Sequence, residues 1–215
     1  MNNPEDIVAF IEFATSNNQQ VQTRVSISYV SIENAHKNIE KETENKSFDA
    51  VYKETYQKWN ELLSRIKVEG GSKDDKTIFY TALYHTLIHP NTLNDVNGEY
   101  PEIKTGKIGK TEGTRYTVFS LWDTYRALHP LFNITQPERN NDMIKSMLAH
   151  HDDSVHNMLP IWSQYANENW CMIGYHATSV IADAMAKSVG DFSHERALQA
   201  SVNTANVRYF DGLGE

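Results

Sequence analysis

Apolar residues recur at helical spacing over most of the chain beyond residue 47. Across residues 48–66 an aromatic or aliphatic side chain returns every three or four positions, which predicts one face of a helix. Ser47 stands where an N-cap is expected, and Gly70 and Gly71 are a stop signal. Pro130 is expected to end a later helix, because proline has no N–H to donate. The same signals predict helices over residues 78–87, 121–129, 137–150, 171–188 and 193–207.

A period of two replaces the helical period near the start of the chain. Val21, Val25, Ile27 and Tyr29 alternate with polar residues, and a short apolar segment precedes them at 7–13. This alternation predicts a β-hairpin over residues 7–32, with its turn at the Asn-Asn pair between the two segments. A lone hairpin is marginal in water, so we expect a further sheet to cover it.

Residues 91–117 lie between two predicted helices and are rich in Gly, Lys and Asn. A loop of this length inside a compact domain is usually functional or disordered. Asp95 to Glu99 resembles a fragment of a calcium loop but lacks the remaining ligands, so a turn at Asn97-Gly98 explains it better.

Composition and charge narrow the class of protein. With 215 residues and 40% apolar residues, the chain is one domain, or one domain and an appendage. The 10 Gly and 6 Pro fall below average usages of ~7% and ~5%, which disfavours an all-β fold. The net charge of −8 disfavours nucleic acid as a partner. The acidic opening residues are not those expected of a signal peptide, and no apolar run approaches the ~20 residues of a membrane span. The single Cys171 excludes an internal disulfide.

Two segments hold candidate chemistry. The first, at 119–126, places Trp122 and Asp123 directly after the long polar loop, and an aromatic ring beside a carboxylate suits a sugar. The alternative is a core tryptophan and a first-turn carboxylate that complements the helix dipole. In the second segment, Glu168 lies between two Asn and before apolar residues, surroundings that suit a general acid. A carboxylate at a helix N-terminus is again the alternative.

The histidines do not form a convincing metal site. His150 and His151 are adjacent and would point in different directions on a helix, so we interpret them as a solvated helix end. His85 and His89 lack the acidic partner of a zinc motif and suit a helix C-terminus.

Several blocks of sequence together resemble glycoside hydrolase family 92. They are FYTALYH at 79–85, PN at 90–91, DVNGEY at 95–100, FSLWDTYRALHP at 119–130, LPIW at 159–162, ENWCMIGYH at 168–176 and VIADA at 180–184. The resemblance covers nearly the whole chain and implies a calcium-dependent, inverting, exo-acting α-mannosidase.

The resemblance implies a mainly α fold, the first part of an (α/α)6 barrel preceded by a β-hairpin from an N-terminal β-sandwich domain. Residues 1–32 would be the end of the sandwich domain, 33–46 a linker helix, and 47–215 the N-terminal part of the catalytic domain. That division would explain why the hairpin stands alone.

The resemblance also assigns site residues. Glu168 would be the general acid, Trp122 and Asp123 would line the subsite for the terminal mannose, and Arg126 would support Asp123. Together with calcium, these residues would cleave terminal α-mannosidic linkages of mannan or N-glycans with inversion.

The family's Gly-Asn-Glu-Pro block and its later Gly-Asp-rich segment are absent from this sequence. We therefore expect the aspartates that act as general base, and the principal calcium ligands, in the remainder of a longer polypeptide. The isolated chain is then expected to be inactive. The resemblance also suggests a periplasmic or secreted enzyme of a bacterium. A non-catalytic helical module that binds carbohydrate or another partner is the alternative, since it would retain Trp122 and Asp123 without needing a base.

Overall fold

The computed structural model describes residues 10–43 and 45–207, and it confirms a mainly helical protein. Within these residues no helix combines the length and apolar character needed to cross a membrane. The helices are α1 (Ile32–Thr43), α2 (Phe48–Leu63), α3 (Lys73–Thr86), α4 (Leu121–Thr124), α5 (Leu128–Thr135), α6 (Pro137–Asp153), α7 (His176–Ala186) and α8 (His194–Ala205). The strands are β1 (Asn91–Thr92), β2 (Glu99–Pro101), β3 (Ile108–Lys110), β4 (Tyr116–Thr117), β5 (Ser163–Gln164) and β6 (Asn167–Glu168).

Side-chain caps set the starts of several helices. The hydroxyls of Ser47 and Ser193 accept hydrogen bonds from the backbone N–H three residues later, as expected for N-caps. At α3, Ser72 and Asp75 form a reciprocal capping box, so this helix begins five residues before the predicted start at 78. The first turn of α3 is polar, so the apolar periodicity alone does not reveal where the helix begins.

Helix α6 lies at the centre of the core. Its apolar residues Met143, Ile144, Met147 and Leu148 are 0–1% exposed, and they pack with buried residues of α5, α7 and α8. The two segments with candidate chemistry lie on or next to these helices, so the packing of the core fixes where the two segments lie relative to each other.

The long segment 91–117 is ordered as two short antiparallel ladders. β1 pairs with β4 and β2 pairs with β3, so the segment folds back on itself as a ribbon. Between β1 and β2, Gly98 has φ +84° and its N–H donates to the carbonyl of Asp95. The predicted turn at Asn97-Gly98 is therefore confirmed.

The predicted hairpin is wrong for the described residues. The chain turns at Asn17-Asn18, but no strand forms between residues 10 and 31, and Val25 and Ile27 are 86% and 73% exposed. Two alternating segments gain little from pairing when no second sheet covers their apolar face.

Residues 7–9 lie outside the described residues, and the division into domains at 32 and 46 stays a prediction. α1 occupies most of the segment predicted as a linker helix.

Two other helix predictions need correction. The helix predicted over 121–129 is broken into α4 and α5, and Pro130 lies in the first turn of α5 instead of ending a helix. Proline is tolerated there because a first-turn N–H has no helical acceptor. α7 begins at His176 and not at 171, because Gly174 has φ +124°, which no helix contains.

Candidate active site

The short helix α4 presents the first candidate segment. Leu121 is fully buried and anchors the helix, Trp122 is half-buried, and Asp123 is exposed. The Asp123 carboxylate accepts a hydrogen bond from the Ser120 hydroxyl at the helix start. An exposed carboxylate with a hydroxyl partner retains the capacity to accept further hydrogen bonds, as binding of a sugar requires.

Arg126 contacts aromatic rings and not the carboxylate it was expected to support. Its guanidinium carbon lies 5.2 Å from the centre of the Trp122 ring and 5.3 Å from that of Tyr125. These are cation–π distances. The geometry therefore links Arg126 to the orientation of Trp122.

Glu168 lies on a second short hairpin, in which β5 pairs with β6. Glu168 is only 4% exposed. Oε2 accepts from the backbone N–H of Ile161 at 2.7 Å, and both oxygens accept from Trp162 at 3.1–3.2 Å. Oε1 also accepts from Asn169 at 3.1 Å and from Trp170 at 3.2 Å. Four backbone N–H groups thus converge on one buried carboxylate.

These N–H groups differ from the apolar surroundings that the sequence suggested. They give each carboxylate oxygen at least two hydrogen-bond donors. They also fix the position of the carboxyl carbon, because donors on both sides of the hairpin contact it. Residue types do not reveal such an arrangement, since it depends on the backbone path of residues 161–170.

The backbone of one residue, Ile161, connects the two candidate segments. The carbonyl of Ile161 accepts from the N–H of Leu121 in α4 at 3.0 Å, and the N–H of Ile161 donates to Glu168. The rings of Tyr125 and His176 also stack, with centres 4.3 Å apart and planes 11° apart. The structure therefore brings Glu168 into the neighbourhood of Trp122 and Asp123, which lie about 45 residues earlier in the chain.

The described residues do not fit a calcium site. No group of three or more His, Cys, Asp or Glu side chains placed to hold a metal ion occurs among them. The Asp95 carboxylate is engaged by the Ser28 hydroxyl and by the side-chain amides of Asn34 and Asn38 at 2.6–2.9 Å. Asn34 and Asn38 lie on α1, so these hydrogen bonds join the ribbon to that helix and engage both oxygens of Asp95.

The interpretation of His150 and His151 as a solvated helix end is wrong. They are 2% and 8% exposed, because the end of α6 packs against the ribbon and α8. His151 contacts the Asp152 carboxylate through Nδ1 at 2.7 Å and the Asn203 amide through Nε2 at 3.2 Å. Both histidines belong to the packing of α6.

Comparison with protein families identifies the chain. Residues 34–214 match the model of the Glycosyl hydrolase family 92 catalytic domain. This protein belongs to glycoside hydrolase family 92. The GH92 match includes α4, the Glu168 hairpin and the helices that support them, so the resemblance read from the sequence blocks is confirmed.

Solved structures of GH92 enzymes share the fold. The α-mannosidase BT3965 of Bacteroides thetaiotaomicron is 46% identical, with a TM-score of 0.79 over 86% of this chain and 25% of that one. The inverting mannosidase BT2199 of Bacteroides thetaiotaomicron VPI-5482 is 29% identical, with a TM-score of 0.78 and the same coverage.

A curated relative of this GH92 chain is described as an uncharacterized secreted glycosidase of Arthroderma benhamiae. It is 26% identical over 205 residues, which are 92% of this chain and 22% of that protein. The chain therefore spans about a quarter of the length of the relatives it matches.

Proposed function

We propose that this chain is part of an inverting α-mannosidase that removes terminal α-linked mannose from mannan or N-glycans. The observation that carries the proposal is the link through Ile161 between Glu168 and α4, the helix of Trp122 and Asp123, in a chain that is 46% identical to a GH92 α-mannosidase. A structure of that relative holds mannoimidazole, a mannose-like ligand. We also propose that the helices form the first part of an (α/α)6 barrel.

In this mechanism Asp123 accepts hydrogen bonds from mannose hydroxyls, and the Trp122 ring packs against an apolar face of the sugar. Glu168 donates a proton to the glycosidic oxygen as the bond from the anomeric carbon to that oxygen breaks. The four N–H groups hold the side chain of Glu168 in position for this step.

Inversion requires a second carboxylate on the opposite face of the sugar. That base accepts a proton from the attacking water, and in inverting enzymes it lies ~6.5–9.5 Å from the acid. We assign the base, and the calcium ligands that the family resemblance implies, to the remainder of the polypeptide. We further propose a periplasmic or secreted location in a bacterium.

The first test is Glu168→Gln in the full-length enzyme. We expect kcat on a natural mannoside to fall by ~10²–10³-fold, because the leaving oxygen is no longer protonated. A substrate with a very good leaving group departs without that proton, so its kcat should fall much less.

This comparison also controls for damage to the hairpin. Gln has one acceptor oxygen where Glu has two, so its amide NH₂ would face backbone N–H donors in the variant. Such damage lowers turnover of both substrates alike. Equal losses on the two substrates would therefore remove Glu168 from the acid role.

The burial of Glu168 favours a second candidate function, a non-catalytic carbohydrate-binding module. Both carboxylate oxygens are engaged by backbone N–H groups, as in a residue whose role is to fold its own loop. A binding module would bind a mannose-like ligand such as mannoimidazole, yet the full-length protein would release no mannose from any α-mannoside.

A further inference from the structure

The His176 imidazole lies between two parts of the candidate active site. One face stacks on the ring of Tyr125, with 4.3 Å between ring centres. The ring also lies against Gly174, where an added Cβ would approach the imidazole Nε2 to 2.2 Å and Cδ2 to 2.7 Å. A side chain at position 174 and the ring at position 176 would therefore occupy the same space.

Each contact of this ring belongs to a different element. Tyr125 is the C-cap of α4, the helix that carries Trp122 and Asp123. Gly174 belongs to the segment that follows Glu168, and His176 is itself the first residue of α7. The next residue, Ala177, is 1% exposed in the core and fixes the base of the side chain.

The ring is held by shape more than by hydrogen bonding at Nε2. This nitrogen is buried, and within the described part of the chain it has no hydrogen-bond partner. A flat ring of similar size would preserve the contacts with Tyr125 and Gly174, whereas a methyl group would leave a gap between them.

We propose that His176 is a positioning residue that holds the Glu168 segment against α4. The inference rests on the proposed function, because it assumes that Glu168 acts on a sugar bound at Trp122 and Asp123. Removing the ring lets residues 168–174 shift relative to α4 and separates the acid from the glycosidic oxygen. Misplacement of a reacting group by about 1 Å can cost ~10²-fold in rate.

The test compares His176→Ala and His176→Phe in the full-length enzyme. We expect His176→Ala to lower kcat at least ~10-fold on a mannoside with a poor leaving group, because protonation by a displaced Glu168 fails. On an activated aryl mannoside the loss should be several-fold smaller, and His176→Phe should restore most of the activity.

His194→Ala is the matched control. His194 is also the first residue of a helix beside an aromatic ring, 5.6 Å from Phe192, but it is exposed and lies on α8. Its substitution should leave the ratio of the two activities unchanged. A His176→Ala variant with no loss, or with equal losses on both substrates, would overturn the proposal.

A readout without turnover separates this proposal from the proposed function. Hydrogen exchange of the N–H groups of Ile161, Trp162, Asn169 and Trp170 reports whether they still donate to Glu168. It should become faster in His176→Ala and remain as in the wild type in His176→Phe. If the wild-type enzyme cleaves no mannoside, the proposed function fails while exchange still decides the positioning role. Unchanged exchange in His176→Ala contradicts that role.

Discussion

Two carboxylates in the candidate active site have opposite surroundings. Glu168 is buried and accepts from four backbone N–H groups, whereas Asp123 is exposed and accepts from the Ser120 hydroxyl. A fixed, enclosed carboxyl suits a group that must be held in position. A carboxylate open to solvent suits a group that binds hydroxyls of an incoming ligand.

The exposure of Asp123 leads to a prediction for ligand binding. In the full-length enzyme, Asp123→Ala should weaken mannoimidazole at least ~10-fold, the scale of a lost hydrogen bond to a charged group at ~1.5 kcal/mol. Calorimetric titration measures the change.

Asp49→Ala is the control for Asp123, because Asp49 is a first-turn carboxylate of α2. It should change stability slightly and leave ligand affinity as it is. If Asp123→Ala lowers stability but not affinity, Asp123 is only a helix-start charge.

At this scale the sequence predicts the kinds of residue but not their partners. Trp122, Asp123 and Glu168 stand out because their types suit sugar chemistry and their blocks resemble a family. The Arg126 contact with two rings and the N–H groups around Glu168 follow from backbone paths that no spacing rule describes.

Among the elements, long periodic helices were predictable and short irregular ones were not. α2, α6 and α8 carry apolar stripes over three or more turns, and α2 and α8 also carry clear N-caps, so local sequence determines them. The ladders of the 91–117 ribbon contain only two or three residues per strand and depend on distant partners. The hairpin predicted over 7–32 does not form within residues 10–31, because an alternating apolar face is stable only when a second sheet covers it.

Helix α6 carries a buried histidine that makes its packing sensitive to pH. Burial, with the nearby Arg115 and His151 charges adding to it, lowers the pKa of His150 to about 3. Below pH ~6.5 the unfolded chain binds a proton at this residue that the folded chain excludes. The contribution of neutral His150 to stability is therefore complete above that pH and is lost progressively toward pH 3.

Urea unfolding of the full-length enzyme and of His150→Gln measures this effect. Between pH 6.5 and 4.5 the unfolding free energy of the wild type should fall by about 2–3 kcal/mol more than that of the variant, at ~1.4 kcal/mol per pH unit. Titrations common to both proteins cancel in this difference. Identical pH dependence would mean that the folded protein admits the proton at His150.

On the scale of the whole molecule, many apolar side chains remain uncovered. Phe48, Tyr52 and Tyr56 lie one turn apart along α2 and are 64–68% exposed. Ile78 of α3 and Leu198 of α8 are 69% and 64% exposed. Soluble monomers rarely expose contiguous apolar patches above a few hundred Å². In the proposed enzyme, the remainder of the polypeptide covers these faces.

The 215-residue chain expressed alone should therefore behave differently from the full-length enzyme. We expect it to aggregate or to bind a hydrophobic dye, because the faces of α2 and α3 remain in contact with water. It should not hydrolyse an aryl α-mannoside, because an acid without a positioned base leaves the attacking water unactivated. Added calcium should not raise its unfolding temperature, since the described residues gather no cluster of metal ligands. A cooperative transition that moves upward with millimolar calcium, together with turnover, would place the base and the metal ligands within this chain.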